Sequence, residues 1–459
     1  MTRILHLADL HIGYCPGFLK PEKSRVRSED FKSAFERAVG FALKPENAIK
    51  AVMIAGDLFD CPAPDEAVRG FVRAQLGRLS TASIPVLIIP GTHDTIALPE
   101  SVYRKESFPS NVHILAAPFL RAPLELVLNG AKFYFYWLTY EPHEKRTVAE
   151  FLTSVKANLP QDGYRVFMAH ASLKGSPEWD VRRKDLPVSL EDLLSSGMHY
   201  VALGHYHDFF ESRKGTYPLG EARRGEAQRG ENQRREAQPG EIPSAETKVV
   251  YPGTLEGKAF GENGSRYLVV VNFDNGRAQV EKHPFNKRVL EEKVISLDSE
   301  PVSSEEELLK RLESLGNETL LLKLTLTGNP DFVVRSDFLT EALAGKFFHV
   351  EIEDATSALG SLPVEEILHE KTIRGMFVRK LKEAISAIPG PDKSGGVAPE
   401  RVAAERGAFS GGSSEPPSED ATCENAASKR AIYELALKEG LSAFAEKGIV
   451  VRARKECKE

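Results

Sequence analysis

The chain has 459 residues, 41% of them apolar and 27% charged, an ordinary globular balance with room for two or three domains. A net charge of −6 and a pI near 6.1 weaken a nucleic-acid-binding reading, although a local basic surface is compatible with both. Cys15, Cys61, Cys423 and Cys457 form neither a metal-finger spacing nor a disulfide framework, and no apolar run approaches the ~20 residues that span a bilayer, so the expected setting is a reducing cytoplasm with no membrane partner.

Residues 4–8, 51–55 and 85–89 are short apolar runs. Each leads directly into a polar motif: Asp9-Leu10-His11, Gly56-Asp57 and Gly91-Thr92-His93-Asp94. A helical pattern through Phe31, Phe35, Val39 and Phe41 separates the first two runs. Strand, helix, strand in this order predicts an α/β fold with a largely buried sheet, and places the polar motifs at the carboxyl ends of strands. Residues 166–169 before His170, and 200–203 before Gly204-His205-Tyr206-His207, repeat the arrangement.

Residues 220–244 repeat with a period of five (GEARR, GEAQR, GENQR, REAQP, GEIPS) and carry almost no large apolar side chain. Such a segment cannot offset its own ordering entropy, so 214–247 is expected to be a disordered insertion at the tip of a hairpin. Loop closure tolerates it, because doubling a loop adds only ~0.6 kcal/mol. An insertion without function is favoured over a nucleic-acid tether through its arginines. Stretches 267–273 and 278–282, joined by Asp274-Asn275-Gly276, predict a hairpin that closes a first domain over residues 1–285.

Residues 286–388 read as a small α+β domain. Ser303 and Glu306 predict a capping box opening a helix that ends at Gly316; strands are expected at 320–327 and 347–352, with a helix at 337–344 between them and a longer one over 364–385. Pro, Gly, Ser and Glu dominate 389–428, which predicts a flexible linker. The last segment, 429–459, contains an amphipathic helix with Ile432, Leu435, Leu441 and Phe444 on one face, suited to docking on its own protein or on a partner.

Taken together, the polar motifs predict a dinuclear metal site. Asp57 follows a glycine that permits close backbone approach, which suits a carboxylate bridging two cations. Asp9 and His11 are two apart on an extended chain and share one side of it; His205 and His207 have the same spacing, and each can serve a different cation. Mixed carboxylate and imidazole ligands suit Mn, Fe or Zn better than Ca or Mg. Two such ions ~3.5–4 Å apart clamp the attacking and leaving oxygens of a phosphate ester, so a phosphoester hydrolase is expected. His93 is the candidate catalytic residue for the leaving oxygen, with Asp94 beside it in sequence to orient or charge it. Any one of these histidines alone is more readily a core or surface residue; the ordered set favours metal.

The motifs resemble those of the calcineurin-like metallophosphoesterase family, whose pattern is D-x-H, GD, GNH[DE], H and GHxH. Residues 6–13, 55–60 and Tyr251-Pro252-Gly253-Thr254 narrow the resemblance to the SbcD-type double-strand-break-repair exonucleases. It covers about residues 1–285 well and the next domain weakly. It implies a core of two mixed sheets flanked by helices, with a smaller α+β capping domain. By the same resemblance, Asp9, His11, Asp57 and His207 hold a first metal, and Asp57, Thr92, His170 and His205 a second, most simply two Mn ions, with His93 as the catalytic histidine. The activity implied is a DNA nuclease, a 3′–5′ exonuclease on duplex ends with endonuclease action on single strands, in repair and recombination. Its implied partners are DNA and an SMC-like ATPase whose coiled coil a C-terminal helix grips; a homodimer stays open. The one departure is Thr92, where the family has Asn: a hydroxyl on a short branched stem is a weaker neutral ligand, so the second metal is expected to bind more loosely. Two rivals remain, a phosphoesterase on small nucleotides or phosphoproteins and a catalytically weakened DNA-end-binding scaffold.

Lys20, Lys23, Arg25 and Arg27, and again Arg182, Arg183 and Lys184, form basic stretches placed either to meet phosphates near the site or to remain solvated. Cys15 and Cys61 lie four residues past His11 and Asp57; oxidation sensitivity is the sharper reading and inertness the commoner one. His113, His143, His199, His283, His349 and His369 lack ligand-like company and are expected to be structural or exposed.

Overall fold

The computed structural model describes residues 1–116, 122–139, 147–174, 186–212, 247–330, 332–356 and 367–387, together with residue 436. The linker, the C-terminal helix, the basic stretch at 182–184 and nearly all of the 214–247 insertion lie outside the described residues. The chain divides into two units, one of Met1–Glu292 with Asn317–Lys323 and Phe347–His349, the other of Lys293–Gly316, Leu324–Lys346 and Val350–Glu459.

The first unit runs β1 (Thr2–Leu7), α1 (Pro21–Leu43), β2 (Ile49–Ala55), α2 (Glu66–Thr81), β3 (Val86–Ile89), α3 (Val102–Lys105), β4 (Val112–Ile114), β5 (Leu124–Leu128) and β6 (Ala131–Leu138). It continues through α4 (Val148–Lys156), β7 (Tyr164–His170), β8 (Ser172–Leu173), β9 (Pro187–Val188), α5 (Leu190–Leu194) and β10 (Tyr200–Gly204). It closes with β11 (Phe210–Glu211), β12 (Lys248–Tyr251), β13 (Tyr267–Asp274) and β14 (Arg277–Pro284). Two six-stranded mixed sheets result, ordered β14-β13-β1-β2-β3-β4 and β11-β12-β10-β7-β6-β5.

The apolar runs are continuous because most central strands are buried on both faces. Alternation along β1 and β2 sends Leu5, Leu7, Val52 and Ile54 toward α1 and α2, where they meet Phe35, Val39, Val72 and Leu76. Their neighbours Ile4, Ala51 and Met53 face the second sheet and pack with Phe133, Phe135, Val166, Met168 and Ala202. The outer face of that sheet covers itself with Phe151, Leu152 and Leu193 of α4 and α5. Helix, sheet, sheet, helix is therefore the layer order of the first unit, and each buried Phe or Leu contributes ~1.5–3 kcal/mol toward it.

Local signals agree with these layers. Pro21 opens α1 at a position where its missing N–H costs nothing. Asp65 caps α2 by accepting the Val68 N–H, and Thr147 with Glu150 forms a full capping box on α4. Asn275 and Gly276, both with positive φ, make the tight turn of the antiparallel β13–β14 hairpin. β11 and β12 also pair antiparallel, so the chain between Ser212 and Thr247 leaves from a hairpin tip.

The last three strands, β15 (Val289–Ser296), β16 (Asn317–Gly328) and β17 (Phe347–Thr356), form a sheet in that order. α6 (Glu305–Ser314), α7 (Ser336–Ala342) and α8 (Ile373–Ser386) belong to the second unit. The α6 cap sits one residue later than expected: Ser304 accepts the Glu307 N–H, while the Glu307 carboxylate accepts from Ser303. Residues 364–366 of the expected helix lie outside the described residues, 367–368 are helical, and after a break α8 begins at Ile373, where Thr372 accepts the Gly375 N–H.

Candidate metal centre

Parallel pairing of β1 with β2 and of β2 with β3 brings the first three polar motifs to one edge of their sheet. The parallel pair β7–β10, with His170 opposite Gly204, does the same in the facing sheet. Beyond the strands the segments lock onto one another: Asp9 N–H donates to Gly56 O at 3.1 Å, His11 N–H to Asp57 O at 2.9 Å, and His205 N–H to the Asp9 carboxylate at 3.1 Å. The His93 N–H donates to Asp57 Oδ1 at 2.8 Å.

These segments can approach so closely because of their glycines. A Cβ on Gly56, whose φ is +93°, would lie 2.2 Å from His170 Nδ1, and one on Gly91 would lie 2.1 Å from Asp57 Oδ1. The backbone is strained where the ligands sit: Asp9, His11, Asp57 and His205 all have positive φ (52°, 45°, 49° and 105°). Each such residue costs ~1–3 kcal/mol, and strain concentrated on the same residues that carry the chemistry is a mark of a functional site.

Donor atoms converge in overlapping groups: Asp9 with His11 and His207, Asp9 with Asp57 and His170, and His11 with Asp57 and His93. Asp57 Oδ2 lies 3.5 Å from His170 Nε2 and 3.9 Å from His11 Nε2, between the two halves of the cluster. His205 Nδ1 is 3.3 Å from His170 Nε2, and Thr92 Oγ1 reaches Asp57 Oδ2 at 3.4 Å. All seven expected ligands are thus brought together, Thr92 included.

The donor set fits divalent cations on its own chemistry. His11 Nδ1 is 3.1 Å from the Asp60 carboxylate and His207 Nδ1 is 2.7 Å from the Glu262 carboxylate, so each ring directs an N–H outward. Their Nε2 atoms then carry lone pairs and face each other at 3.3 Å. His170 Nδ1 likewise donates to Ala55 O at 3.0 Å, which turns its Nε2 toward Asp57 at 3.5 Å. Lone pairs and buried carboxylates aimed at common points need positive charge between them.

Titration follows the same crowding. Burial pushes the Asp9 carboxyl up to about 6, and burial pulls the His11 imidazole down to about 4. Burial also opposes ionisation of Asp57 and His170, but their mutual attraction wins: Asp57 is held far below the usual carboxylate range and His170 is raised to about 10. His207 is raised by Glu262 against burial.

Two expectations are corrected. Asp94 does not orient His93. Its buried carboxylate accepts from Gly91 N–H (2.7 Å), Phe59 N–H (3.1 Å) and Tyr103 OH (2.6 Å), and so shapes the loop rather than the ring. The group beside His93 is Asp60, whose carbonyl accepts the Nδ1–H at 3.1 Å. Arg27 cannot meet a substrate phosphate, since it is buried in ion pairs with Asp30 and Glu256. Cys15 and Cys61 are exposed free thiols.

Asp60, Lys258 and Glu262 are the residues that sequence reasoning passed over. Asp60 lies three past Asp57 and was open to discovery as a second carboxylate in the same motif. Lys258 and Glu262 follow β12 at no telling spacing from any ligand.

Residues 2–209 match the calcineurin-like phosphoesterase family. The DNA double-strand break repair protein Mre11 of Aeropyrum pernix is 30% identical over 232 residues, 45% of this chain and 49% of that protein. The uncharacterized metallophosphoesterase YhaO of Bacillus subtilis is 25% identical over 282 residues, 59% of this chain and 57% of that protein. Mre11 of Methanosarcina acetivorans is 23% identical over 355 residues, 75% of this chain and 48% of that protein. The chain spans about half the length of the curated relatives it matches.

Proposed function

We propose that the protein, whose residues 2–209 match the calcineurin-like phosphoesterase family, is a two-metal phosphodiesterase that cuts DNA. The observation that carries this reading is the convergence of Asp9, His11, Asp57, His170 and His207 in overlapping groups of donor atoms, with His205 against His170. In the proposed assignment Asp9, His11, Asp57 and His207 hold one cation, and Asp57, Thr92, His170 and His205 the other. Two divalent ions there, Mn by the character of the donors, would supply charge stabilisation at the phosphoryl oxygens and a nucleophile near neutral pH.

The chain's own part is positioning and proton transfer. Buried Asp9 and Asp57 are fixed by backbone N–H groups of His205 and His93, so ligand geometry is set before substrate arrives. His93 keeps its Nδ1–H on the Asp60 carbonyl and stands edge-on to His11, with ring centroids 4.7 Å apart. That leaves Nε2 to hold or hand over a proton at the leaving oxygen.

DNA is the proposed substrate because relatives named for double-strand break repair align over the same residues. The 3′–5′ exonuclease polarity, single-strand endonuclease action, an SMC-like ATPase partner docked through 432–444 and a cytoplasmic location extend the same proposal. Among the described residues no helix is long and apolar enough to cross a membrane. A second reading, a scaffold that binds DNA ends with weakened chemistry, is favoured by Thr92 alone.

The test compares end-labelled duplex, circular single-stranded DNA, a chromogenic phosphodiester and a phosphopeptide, each with Mn. Cleavage of duplex in preference to the small diester is the expected result. Turnover of the diester or phosphopeptide with intact DNA would replace the substrate, and tight DNA binding without any turnover would favour the scaffold.

A further inference from the structure

Lys258 joins two carboxylates outside the expected ligand set. Its Nζ lies 2.9 Å from Asp60 Oδ1 and 3.2 Å from His11 Nδ1, while its backbone N–H donates to Glu262 Oε2 at 2.8 Å. The other oxygen of Glu262 takes His207 Nδ1 at 2.7 Å. Asp60 serves twice, its side chain at His11 and its carbonyl at His93. One short bridge therefore reaches three histidines of the centre from outside.

We propose that Asp60 and Glu262, linked through Lys258, are positioning residues that fix the Nδ1–H tautomers of His11 and His207 and so preorganise one of the two cation positions. The inference rests on the reading of this cluster as a metal centre. Its logic is donor and acceptor accounting. A neutral imidazole offers one lone pair, and only an outward N–H leaves Nε2 free to ligate. Lys258 Nζ, which can only donate, also lies 3.2 Å from His11 Nδ1, so the Nδ1–H tautomer of His11 holds where the Asp60 carboxylate at 3.1 Å outcompetes that ammonium. The segment that delivers both Lys258 and Glu262 is itself held down, since buried Arg27 pairs with Glu256 at 3.0 Å and donates to Gly257 O at 2.7 Å. Among the described residues Thr92 is held by the bond it donates to Asp57 at 3.4 Å. The two positions are therefore unequal: each has two imidazoles, but the second completes its set with a threonine hydroxyl that donates to Asp57.

Two measurements on the full chain test this. Nitrogen-15 NMR of the imidazoles, in chelator and above the usual imidazole range, should find His11 and His207 as Nδ1–H tautomers in the wild type, with Glu262→Ala releasing His207 and Asp60→Ala releasing His11. Mn titration followed by electron paramagnetic resonance should show one tight and one weak ion. The tight one should loosen about 10–100-fold in either variant at temperatures where circular dichroism shows them folded. Glu262→Gln, which retains an acceptor oxygen for His207, should recover most of the loss and stands in if Glu262→Ala does not fold. His207 found as the Nε2–H tautomer in wild type, or unchanged Mn affinity in Asp60→Ala and both Glu262 variants, overturns the brace. Correct tautomers in a wild type that binds no Mn would instead remove the metal reading and leave the brace standing.

Discussion

The His93 side chain is 45% exposed, whereas Asp9, His11, Asp57 and His170 are buried. Removing it should spare metal binding and remove proton transfer: His93→Ala is expected to lower turnover ~10²–10⁴-fold with Mn affinity retained, measured by steady-state cleavage beside a Mn titration. Thr92 makes the opposite prediction. Thr92→Asn should tighten the weaker ion by about tenfold, ~1.4 kcal/mol, and raise activity at limiting Mn; no gain would count against a ligand defect. Away from the centre, burial pulls His6 from 6.5 to about 3, so the native state declines a proton that the unfolded chain accepts below 6.5. Between those two values stability must therefore fall as pH falls, by ~1.4 kcal/mol per pH unit for this one group. Urea unfolding across that window should lose that slope in His6→Gln. The residues that cluster were legible in the sequence because carboxylates and histidines stood at strand ends in order. Asp60, Lys258 and Glu262 were not, since their role depends on which ring they meet in space and leaves no periodic trace.

At the level of elements, the parallel strands β1, β2, β3, β7 and β10 were readable as unbroken apolar runs, and each run ended where a ligand began. β15 was missed: its Glu291, Glu292 and Lys293 interrupt any strand-like alternation, and only Leu290 is fully buried. The loops between strand and ligand have little tolerance. Gly91→Ala places a methyl 2.1 Å from Asp57 Oδ1 and should abolish Mn binding while circular dichroism remains that of a folded protein. Phe133, buried between the two sheets, belongs to the core instead; Phe133→Ala should cost ~3–5 kcal/mol in unfolding free energy and lower activity only through loss of folded protein.

Across the whole molecule, one chain joins a layered α/β unit to a second unit, and the match to the calcineurin-like phosphoesterase family lies within the first. β11 and β12 pair directly, so replacing 213–246 by a four-residue turn shortens the connection by about three doublings and should stabilise the fold by ~2 kcal/mol at most, with cleavage unchanged. Fold class was legible because the α/β order of the first half is dictated by burial on both sheet faces. The substrate was not, because a substrate is recognised by surfaces that no strand-end motif encodes. The most direct measurement is Mn-dependent cleavage of end-labelled linear duplex DNA by the full chain, beside Asp57→Ala and His93→Ala. A two-metal nuclease predicts metal-dependent loss of label that Asp57→Ala abolishes and His93→Ala cuts by orders of magnitude. Equal inertness of all three proteins at saturating Mn, or cleavage that survives Asp57→Ala, would contradict it.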